Sequence, residues 1–253
     1  FQTRLLVGAA GHFCPVSRIL GRGGKENPVV AQEIEFAMSD EQARTCAIAP
    51  EIPELFFCRD MRGYGWCFRK GNFLNIGLGR LDQHGLSEQV QRFVRYLCDS
   101  RKIAFEVPGR MAGHAYLLFG YSPRKIVDDG LLLIGDSAGL AYAQSGEGIR
   151  PAIESGLMAA AAITATESVF SAERLQVYSE LLEQRFAAGR KIMQSLAMHI
   201  PVPARNALGR MLLKSRRFCR SVVVEDWFLH VHDTPLAPVR SLKRGVLEGH
   251  PAG

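Results

Sequence analysis

One carboxylate and several glycines, placed between an apolar run and a helical pattern, are the residues of this chain best suited to bind a ligand. Residues 131–139 read Leu-Leu-Leu-Ile-Gly-Asp-Ser-Ala-Gly. The apolar run 131–134 is typical of a strand that is covered on both faces. Gly135 permits a sharp turn, so Asp136 is predicted at the carboxyl end of that strand, where open α/β sheets bind ligands. Asp136 can accept hydrogen bonds from ligand hydroxyls, or it can simply cap a short helix.

The glycine loop that follows can supply hydrogen-bond donors. Residues 145–156 read Ser-Gly-Glu-Gly-Ile-Arg-Pro-Ala-Ile-Glu-Ser-Gly. Gly146 and Gly148 leave backbone N–H groups uncovered, so a ligand can approach the main chain. Pro151 suits the first turn of a helix, whose N-terminus attracts an anionic ligand or an electron-rich ring. Small residues at helical spacing predict a narrow face against which a flat cofactor or a sheet can pack: Ala152, Ser155, Gly156, Ala159 and Ala160.

Aromatic residues and glycines in residues 63–79 form a second candidate site. Tyr64, Trp66 and Phe68 alternate, so a strand would point all three side chains to one face. Gly77 and Gly79 allow a close approach to the neighbouring strand. Aromatic side chains opposite glycines suit a pocket for a long apolar substrate, but they also suit the core of a sheet. On the residue types alone, the sheet core is the better interpretation.

Composition limits the class of protein. The chain has 253 residues, of which 47% are hydrophobic and 22% charged, as in a soluble globular protein of one large or two modest domains. No apolar run approaches the ~18 residues of a membrane span, and no signal peptide is visible. The six cysteines include no Cys-x-x-Cys pair. We therefore predict no metal site, no disulfide scaffold and a cytoplasmic location.

The positive charge is concentrated late in the sequence. The net charge is +6, and many lysines and arginines follow residue 185. A basic surface can bind nucleic acid, an anionic membrane or a phosphorylated substrate, although it is more often simply solvated. Because no nucleic-acid motif accompanies the charge, we predict no nucleic-acid partner. Peripheral contact with a membrane through these basic helices is a hypothesis, and the oligomeric state is not predicted.

The remaining patterns predict an α/β (α+β) chain in five parts. We expect segments of a partial Rossmann-like domain at 1–28 and 121–168, an antiparallel substrate-binding sheet at 29–120, C-terminal helices at 169–234 and a flexible tail at 235–253. Predicted strands include a buried one at 3–7 and others at 33–38, 46–49, 55–58, 65–69 and 73–79. Predicted helices cover 87–101, 151–166, 171–198 and 205–218.

The ordered string 135–156 resembles the second flavin-binding motif of the FAD-dependent oxidoreductases that share the fold of p-hydroxybenzoate hydroxylase. The form Gly-Glu-Gly-Ile-Arg-Pro-Ala, followed by Glu-Ser-Gly, is most similar to the geranylgeranyl reductase family. The resemblance implies FAD as cofactor. It places Asp136, with Gly135, at the ribityl chain, and it places Gly146, Gly148 and Ile149 against the isoalloxazine ring.

The aromatic string is similar to a second pattern of the same family, Tyr-x-Trp-x-Phe-Pro followed by Gly-x-Gly. The resemblance implies that an isoprenoid cavity is lined by Tyr64, Trp66, Phe68, Gly77 and Gly79. Arg69 replaces the family proline, which alters the expected cavity.

The activity that the resemblance implies is reduction of a C=C bond in an isoprenoid or other apolar substrate. Reduced FAD would deliver the hydride, and NAD(P)H or another reductant would supply the electrons. The proton donor is not assigned. Tyr64 and Cys67 border the expected cavity, but alternation puts Cys67 on the opposite face of the strand.

Two features separate this chain from a complete enzyme of that kind. It contains no Gly-x-Gly-x-x-Gly for the FAD pyrophosphate, so we expect it to be the C-terminal portion of a longer flavoprotein. Residues 4–18 resemble a family segment with Gly-Ala-Asp-Gly, in which the aspartate is Ala10 here. That change disfavours a first alternative, a flavin monooxygenase or halogenase. A second alternative is a non-catalytic, truncated flavoprotein module.

Overall fold

The fold consists of two units. The computed structural model describes residues 2–21, 26–50, 52–82, 85–121, 124–187 and 200–234. Unit 1 comprises residues 1–27 and 116–253, and unit 2 comprises residues 28–115. The predicted tail at 235–253, and the last residues of the helix predicted at 171–198, lie outside the described residues.

The described elements mix strands and helices, as the α/β (α+β) prediction requires. The strands are β1 (Leu6–Gly8), β2 (Val29–Ala37), β3 (Glu54–Phe57), β4 (Gly63–Lys70), β5 (Phe73–Arg80), β6 (Ala112–Tyr116), β7 (Val127–Asp128) and β8 (Leu131–Leu133). The helices are α1 (Pro15–Ile19), α2 (Asp40–Thr45), α3 (Leu86–Asp99), α4 (Ile149–Ala165), α5 (Ala172–Ala187), α6 (Val202–Leu212) and α7 (Arg216–Phe218), which continues as a π-helix over Cys219–Phe228.

Unit 1 is built around a three-stranded sheet in the order β1-β8-β7. Strand β1 runs parallel to β8, with Leu6 opposite Leu131 and Gly8 opposite Leu133. Leu132 and Leu133 are fully buried, as expected of the apolar run. The prediction of a buried strand at 3–7 was wrong for Leu6 and Val7, which are 41% and 37% exposed. Within the described residues β1 is an outer strand of this sheet and pairs only with β8, so less of the unit covers it.

Helices α4 and α5 provide most of the remaining core of unit 1. Leu132 and Leu133 of the sheet belong to one buried cluster with Met158 of α4 and Tyr178 of α5. Tyr178 is fully buried, and its hydroxyl donates to the carbonyl of Leu133 at 2.8 Å. The core therefore fixes the end of β8, after which the candidate site begins.

Unit 2 is a five-stranded sheet in the order β3-β4-β5-β2-β6. Strands β2, β4 and β5 form its antiparallel centre. Helix α3 covers one face, where Val90, Phe93 and Leu97 belong to the same buried cluster as Cys67 and Ile76. The period-2 alternation of the strands therefore separates a helix-covered face from an aromatic face.

Two predicted elements of the chain differ from the structure. The strand predicted at 46–49 is absent, and helix α2 lies just before it. The Ser39 hydroxyl accepts from the Gln42 N–H at 3.2 Å, while the Gln42 side chain accepts from the Ser39 N–H at 2.8 Å. This capping box satisfies two N–H groups at the helix start, which favours helix over strand. The single helix predicted at 205–218 is divided into α6 and α7 between Leu212 and Arg216, and the periodicity did not indicate the π-helix that follows.

Candidate functional site

The turn after β8 carries the predicted Gly135-Asp136 pair. Gly135 has φ +54°, and a Cβ there would lie 3.1 Å from the Ala152 Cβ, so glycine suits both the backbone and the space. The Gly135 N–H donates to the Ser155 hydroxyl at 2.9 Å. The Gly135-Asp136 turn therefore packs against the narrow face predicted for α4.

The glycine loop brings Gly148 to Asp136. An ideal Cβ on Gly148 would lie 3.1 Å from Asp136 Oδ1, so the carboxylate lies beside the backbone at the start of α4. Asp136 is half-buried. Gly146 has φ +72°, and a Cβ there would lie 2.5 Å from the Tyr116 hydroxyl. The structure thus places the predicted cofactor residues in one loop-and-turn arrangement, with the Gly135-Asp136 turn beside Gly148 and Ile149 at the start of α4 and Gly146 in the preceding loop.

The first turn of α4 offers donors that the helix itself does not use. The Arg150 N–H donates to Glu147 Oε1 at 2.9 Å, and Pro151 has no N–H. Among the described residues, the N–H groups of Gly148 and Ile149 precede the first intrahelical bond, so they can donate to a ligand at this end. Ile149 is 76% exposed, so an apolar side chain stands beside these donors.

Arg150 pairs with protein carboxylates. Its Nε donates to Glu154 at 2.9 Å, and Arg185 of α5 donates two hydrogen bonds to the same carboxylate at 2.6 and 2.7 Å. Glu154 is fully buried. Burial alone would raise the pKa of Glu154, but the hydrogen bonds from the two guanidinium groups outweigh it and lower that pKa. The Arg150–Glu154–Arg185 cluster therefore joins α4 to α5 as a charged interior network.

A second buried ion pair supports the Asp136 turn from the other side. Arg124 and Glu26 have side chains that are 1% and 8% exposed, and they form a bidentate pair at 2.6 and 2.9 Å. Arg124 also donates to the carbonyl of Ser137 at 2.8 Å and to that of His12 at 3.3 Å. This pair joins residues far apart in the sequence, so no local pattern could have indicated it.

Three buried polar atoms near the glycine loop lack a hydrogen-bond partner within the described part of the chain: Tyr142 Oη, Glu147 Oε2 and His230 Nε2. The His230 ring stacks on Tyr142 with centroids 3.8 Å apart. Burial lowers the pKa of His230, while the Asp233 carboxylate, 3.3 Å from Nδ1, acts in the opposite direction. His230 therefore favours its neutral form. Buried polar atoms without partners are uncommon, so they mark this loop as unusual.

In unit 2, Trp66 lies across Gly77. An ideal Cβ on Gly77 would lie 2.2 Å from Trp66 Cζ2, so the indole occupies the space that the glycine leaves. The Trp66 Nε1–H donates to Asn75 at 2.7 Å, and the Asn75 amide donates to Glu35 at 3.3 Å. The Trp66 side chain of the neighbouring strand therefore fills the space beside Gly77.

The other aromatic residues extend the same face. Tyr64 stands opposite Gly79 in the strand register and contacts Phe57 and Trp66 with ring centroids 5.8 and 6.0 Å apart. Phe68 stands opposite Asn75. Tyr64, Trp66 and Phe68 are all half-buried. The five residues predicted to contact substrate therefore share one face of the sheet.

The candidate proton donors differ sharply in their surroundings. Cys67 is fully buried on the α3 face, and burial raises the pKa of its thiol to about 12, which makes it a poor acid. Tyr64 lies on the aromatic face.

Within the described ranges, a metal-binding cluster and a membrane-spanning helix are both absent. No group of three or more His, Cys, Asp or Glu residues there could hold a metal ion. No helix there combines the length and the apolar character needed to cross a bilayer.

Comparison with known proteins identifies reductases as sequence relatives. No protein-family profile matches the chain. A menaquinone reductase of Mycobacterium tuberculosis is 28% identical over 209 residues, covering 79% of this chain and 49% of the relative. A digeranylgeranylglycerophospholipid reductase of Methanosphaera stadtmanae is 32% identical over 207 residues, covering 78% and 49%. The chain thus spans about half the length of these curated relatives.

Solved structures share the fold. A geranylgeranyl bacteriochlorophyll reductase-like protein of Thermoplasma acidophilum has a TM-score of 0.58 at 19% identity, covering 97% of this chain and 54% of that one. A flavin-dependent brominase has a TM-score of 0.60 at 13% identity, covering 98% and 63%. At these identities the likeness concerns the fold alone. Sequence relatives and fold together confirm the resemblance that the motifs indicate: the chain is related to the geranylgeranyl reductase family of FAD-dependent oxidoreductases.

Proposed function

We propose that this chain is the flavin- and substrate-contacting part of an FAD-dependent oxidoreductase that reduces C=C bonds in an isoprenoid or other apolar substrate. The observation that carries the proposal is the position of the Asp136 carboxylate beside Gly148 at the N-terminus of α4. A carboxylate and free N–H groups at one helix end suit a ligand that has both hydroxyls and an electron-rich ring.

The residues present fit FAD on two counts. A Cβ at Gly146 or Gly148 would meet the Tyr116 hydroxyl or the Asp136 carboxylate, so glycine lets the loop backbone lie close to both groups and keeps that backbone approachable by a ligand ring. Asp136 is half-buried and its carboxylate can accept hydrogen bonds from ribityl hydroxyls. When bound, the flavin supplies the hydride for the reduction.

The chain's own residues bind and orient the cofactor and the substrate. Asp136 and the N–H groups of Gly148 and Ile149 hold the cofactor, and the exposed Ile149 side chain helps to exclude water from it. The aromatic face of unit 2, with Tyr64 and Phe68 around Trp66, provides apolar contacts for the substrate. NAD(P)H or another reductant is the proposed source of electrons.

Reduction is favoured over halogenation or hydroxylation by the sequence relatives, which are named reductases. The flavin-dependent brominase is similar to this chain in fold alone, at 13% sequence identity. Ala10, which stands where the resemblance places an aspartate, agrees with this choice.

Flavin binding is tested by titrating FAD with the 253-residue chain and following the quenching of flavin fluorescence. Asp136→Ala should weaken binding about tenfold or more, because it removes a charged acceptor. Glu173→Ala, on the exposed first turn of α5, is the matched control and should leave the affinity unchanged. Absence of flavin binding by the folded chain would favour the non-catalytic module.

Activity is tested separately, by incubating the FAD-loaded protein with a chemical reductant and geranylgeranyl diphosphate or menaquinone. The expected product is heavier by two hydrogens in the mass spectrum. Oxygen-dependent hydroxylation or halogenation of an aromatic compound, without reduction of either substrate, would instead support the monooxygenase alternative.

A further inference from the structure

Helix α6 has no buried residue, although it lies in a part of unit 1 that the structure describes. Its outward side chains include Leu208 and Met211, which are 42% and 60% exposed. Val202 at its start is 55% exposed. A helix that packs only against its own protein would turn such residues inward.

Three apolar residues of α6 form one outward stripe. Ala204, Leu208 and Met211 follow the i, i+4, i+7 spacing that places side chains on a single face of a helix. All three are exposed, whereas Asn206 and Gly209, which fall on the opposite side, are half-buried. An apolar stripe of α6 therefore faces away from the protein.

Cationic residues border this stripe. By helical spacing Arg205 lies on one side of it and Arg210 on the other. Residues 200–224 contain six lysines and arginines and no aspartate or glutamate. Lys214, Arg216 and Arg217 are exposed immediately after α6.

We propose that this α6 surface, defined as Ala204, Leu208 and Met211 with Arg205, Lys214, Arg216 and Arg217, docks on an anionic lipid bilayer. An apolar stripe flanked by cations is the arrangement with which a helix lies in the plane of a membrane interface. The apolar side chains enter the boundary of the acyl chains, and the guanidinium and ammonium groups meet anionic headgroups. Charge complementarity selects the bilayer, because the whole segment presents one sign of charge.

The test is flotation of the full chain with vesicles, and it does not depend on flavin. Vesicles of one part phosphatidylglycerol to about two parts phosphatidylcholine carry the negative surface that attracts basic segments. The protein should float with these vesicles and not with pure phosphatidylcholine, and about 0.5 M NaCl should reduce the bound fraction several-fold because salt screens exposed charges.

Two double variants separate the apolar and cationic contributions. Leu208→Gln with Met211→Gln, and Arg205→Gln with Arg217→Gln, should each lower vesicle binding about tenfold or more, with circular dichroism unchanged because these residues are exposed. The matched controls are the exposed Phe73→Gln for the apolar pair and Arg92→Gln with Arg95→Gln on α3 for the cations. They should bind as the unaltered chain does.

Three outcomes would overturn the proposal: no flotation of the folded chain with anionic vesicles, equal flotation with neutral ones, or full binding by both double variants. Size-exclusion chromatography identifies a protein partner as the alternative occupant. If the Leu208→Gln, Met211→Gln variant dissociates a dimer and no vesicle binding occurs, the stripe is an interface between copies of the chain.

Discussion

The two faces of the unit 2 sheet share one backbone and differ in almost everything else. On the α3 face, Cys67, Leu74 and Ile76 are fully buried in an apolar core. On the aromatic face, half-buried rings lie beside glycines and a polar chain from Glu35 through Asn75 to Trp66. The comparison shows that alternation divides the residues correctly between faces, while side-chain contacts decide what each face can do. Four predictions test this difference between the two faces of the sheet.

The largest effect is expected on the α3 face. Ile76→Ala leaves a cavity in a fully buried position, so the free energy of unfolding should fall by about 2–5 kcal/mol. Urea denaturation measures this. Phe73→Ala, on the same strand but 48% exposed, is the control and should cost less. Equal losses in the two variants would show that α3 does not form the core of this unit.

A smaller loss is expected where Trp66 covers Gly77. Gly77→Ala places a Cβ 2.2 Å from the indole and should cost about 1–3 kcal/mol, because the ring must move. Tryptophan emission in a Trp227→Phe background reports that movement. Gly113→Ala on β6 is the control, since its Cβ would meet nothing closer than 3.8 Å. A Gly77 variant with unchanged emission and stability would contradict the contact.

Removing the indole N–H should have a still smaller effect. Trp66→Phe leaves the Asn75 carbonyl without its donor and should cost about 1–2 kcal/mol. A double-mutant cycle with Asn75→Ala isolates the hydrogen bond from the loss of ring area. If the two changes are additive, the polar chain does not hold the ring.

The smallest effect concerns pH. The hydrogen bond from Lys70, followed by that from Asn75, lowers the pKa of Glu35. A lowered pKa in the folded state contributes stability above the unfolded value of about 4.3 and loses it as pH falls through the folded value. Because the pair is exposed, the contribution is small. Glu35→Gln should slightly flatten the acid limb of a stability–pH profile; an unchanged limb would exclude Glu35 as a contributor.

Sequence patterns could predict those elements whose determinants are local. The alternation of Tyr64, Trp66 and Phe68 correctly indicated a shared face, and the small residues of α4 correctly indicated close packing of a sheet turn. The assignment of cofactor and substrate contacts to these residues stays a prediction.

Features that depend on distant residues escaped sequence analysis. The Arg124–Glu26 pair and the position of Trp66 over Gly77 arise only when the chain has folded, so spacing carries no signal for them. Helix α2 is different, since its capping-box residues Ser39 and Gln42 were visible in the sequence. The apolar residues 46–49 that follow this helix do not form a strand.

The parallel pairing of β1 with β8 imposes an order on folding during synthesis. Strand β1 leaves the ribosome long before Leu131–Leu133, its partner strand, and all of unit 2 emerges between them. A contiguous segment closes its contacts sooner than one whose ends must meet across a long loop, and domains generally fold as units during synthesis. Unit 2 can therefore fold first, and β1 pairs with β8 only after the strand that precedes Asp136 has emerged.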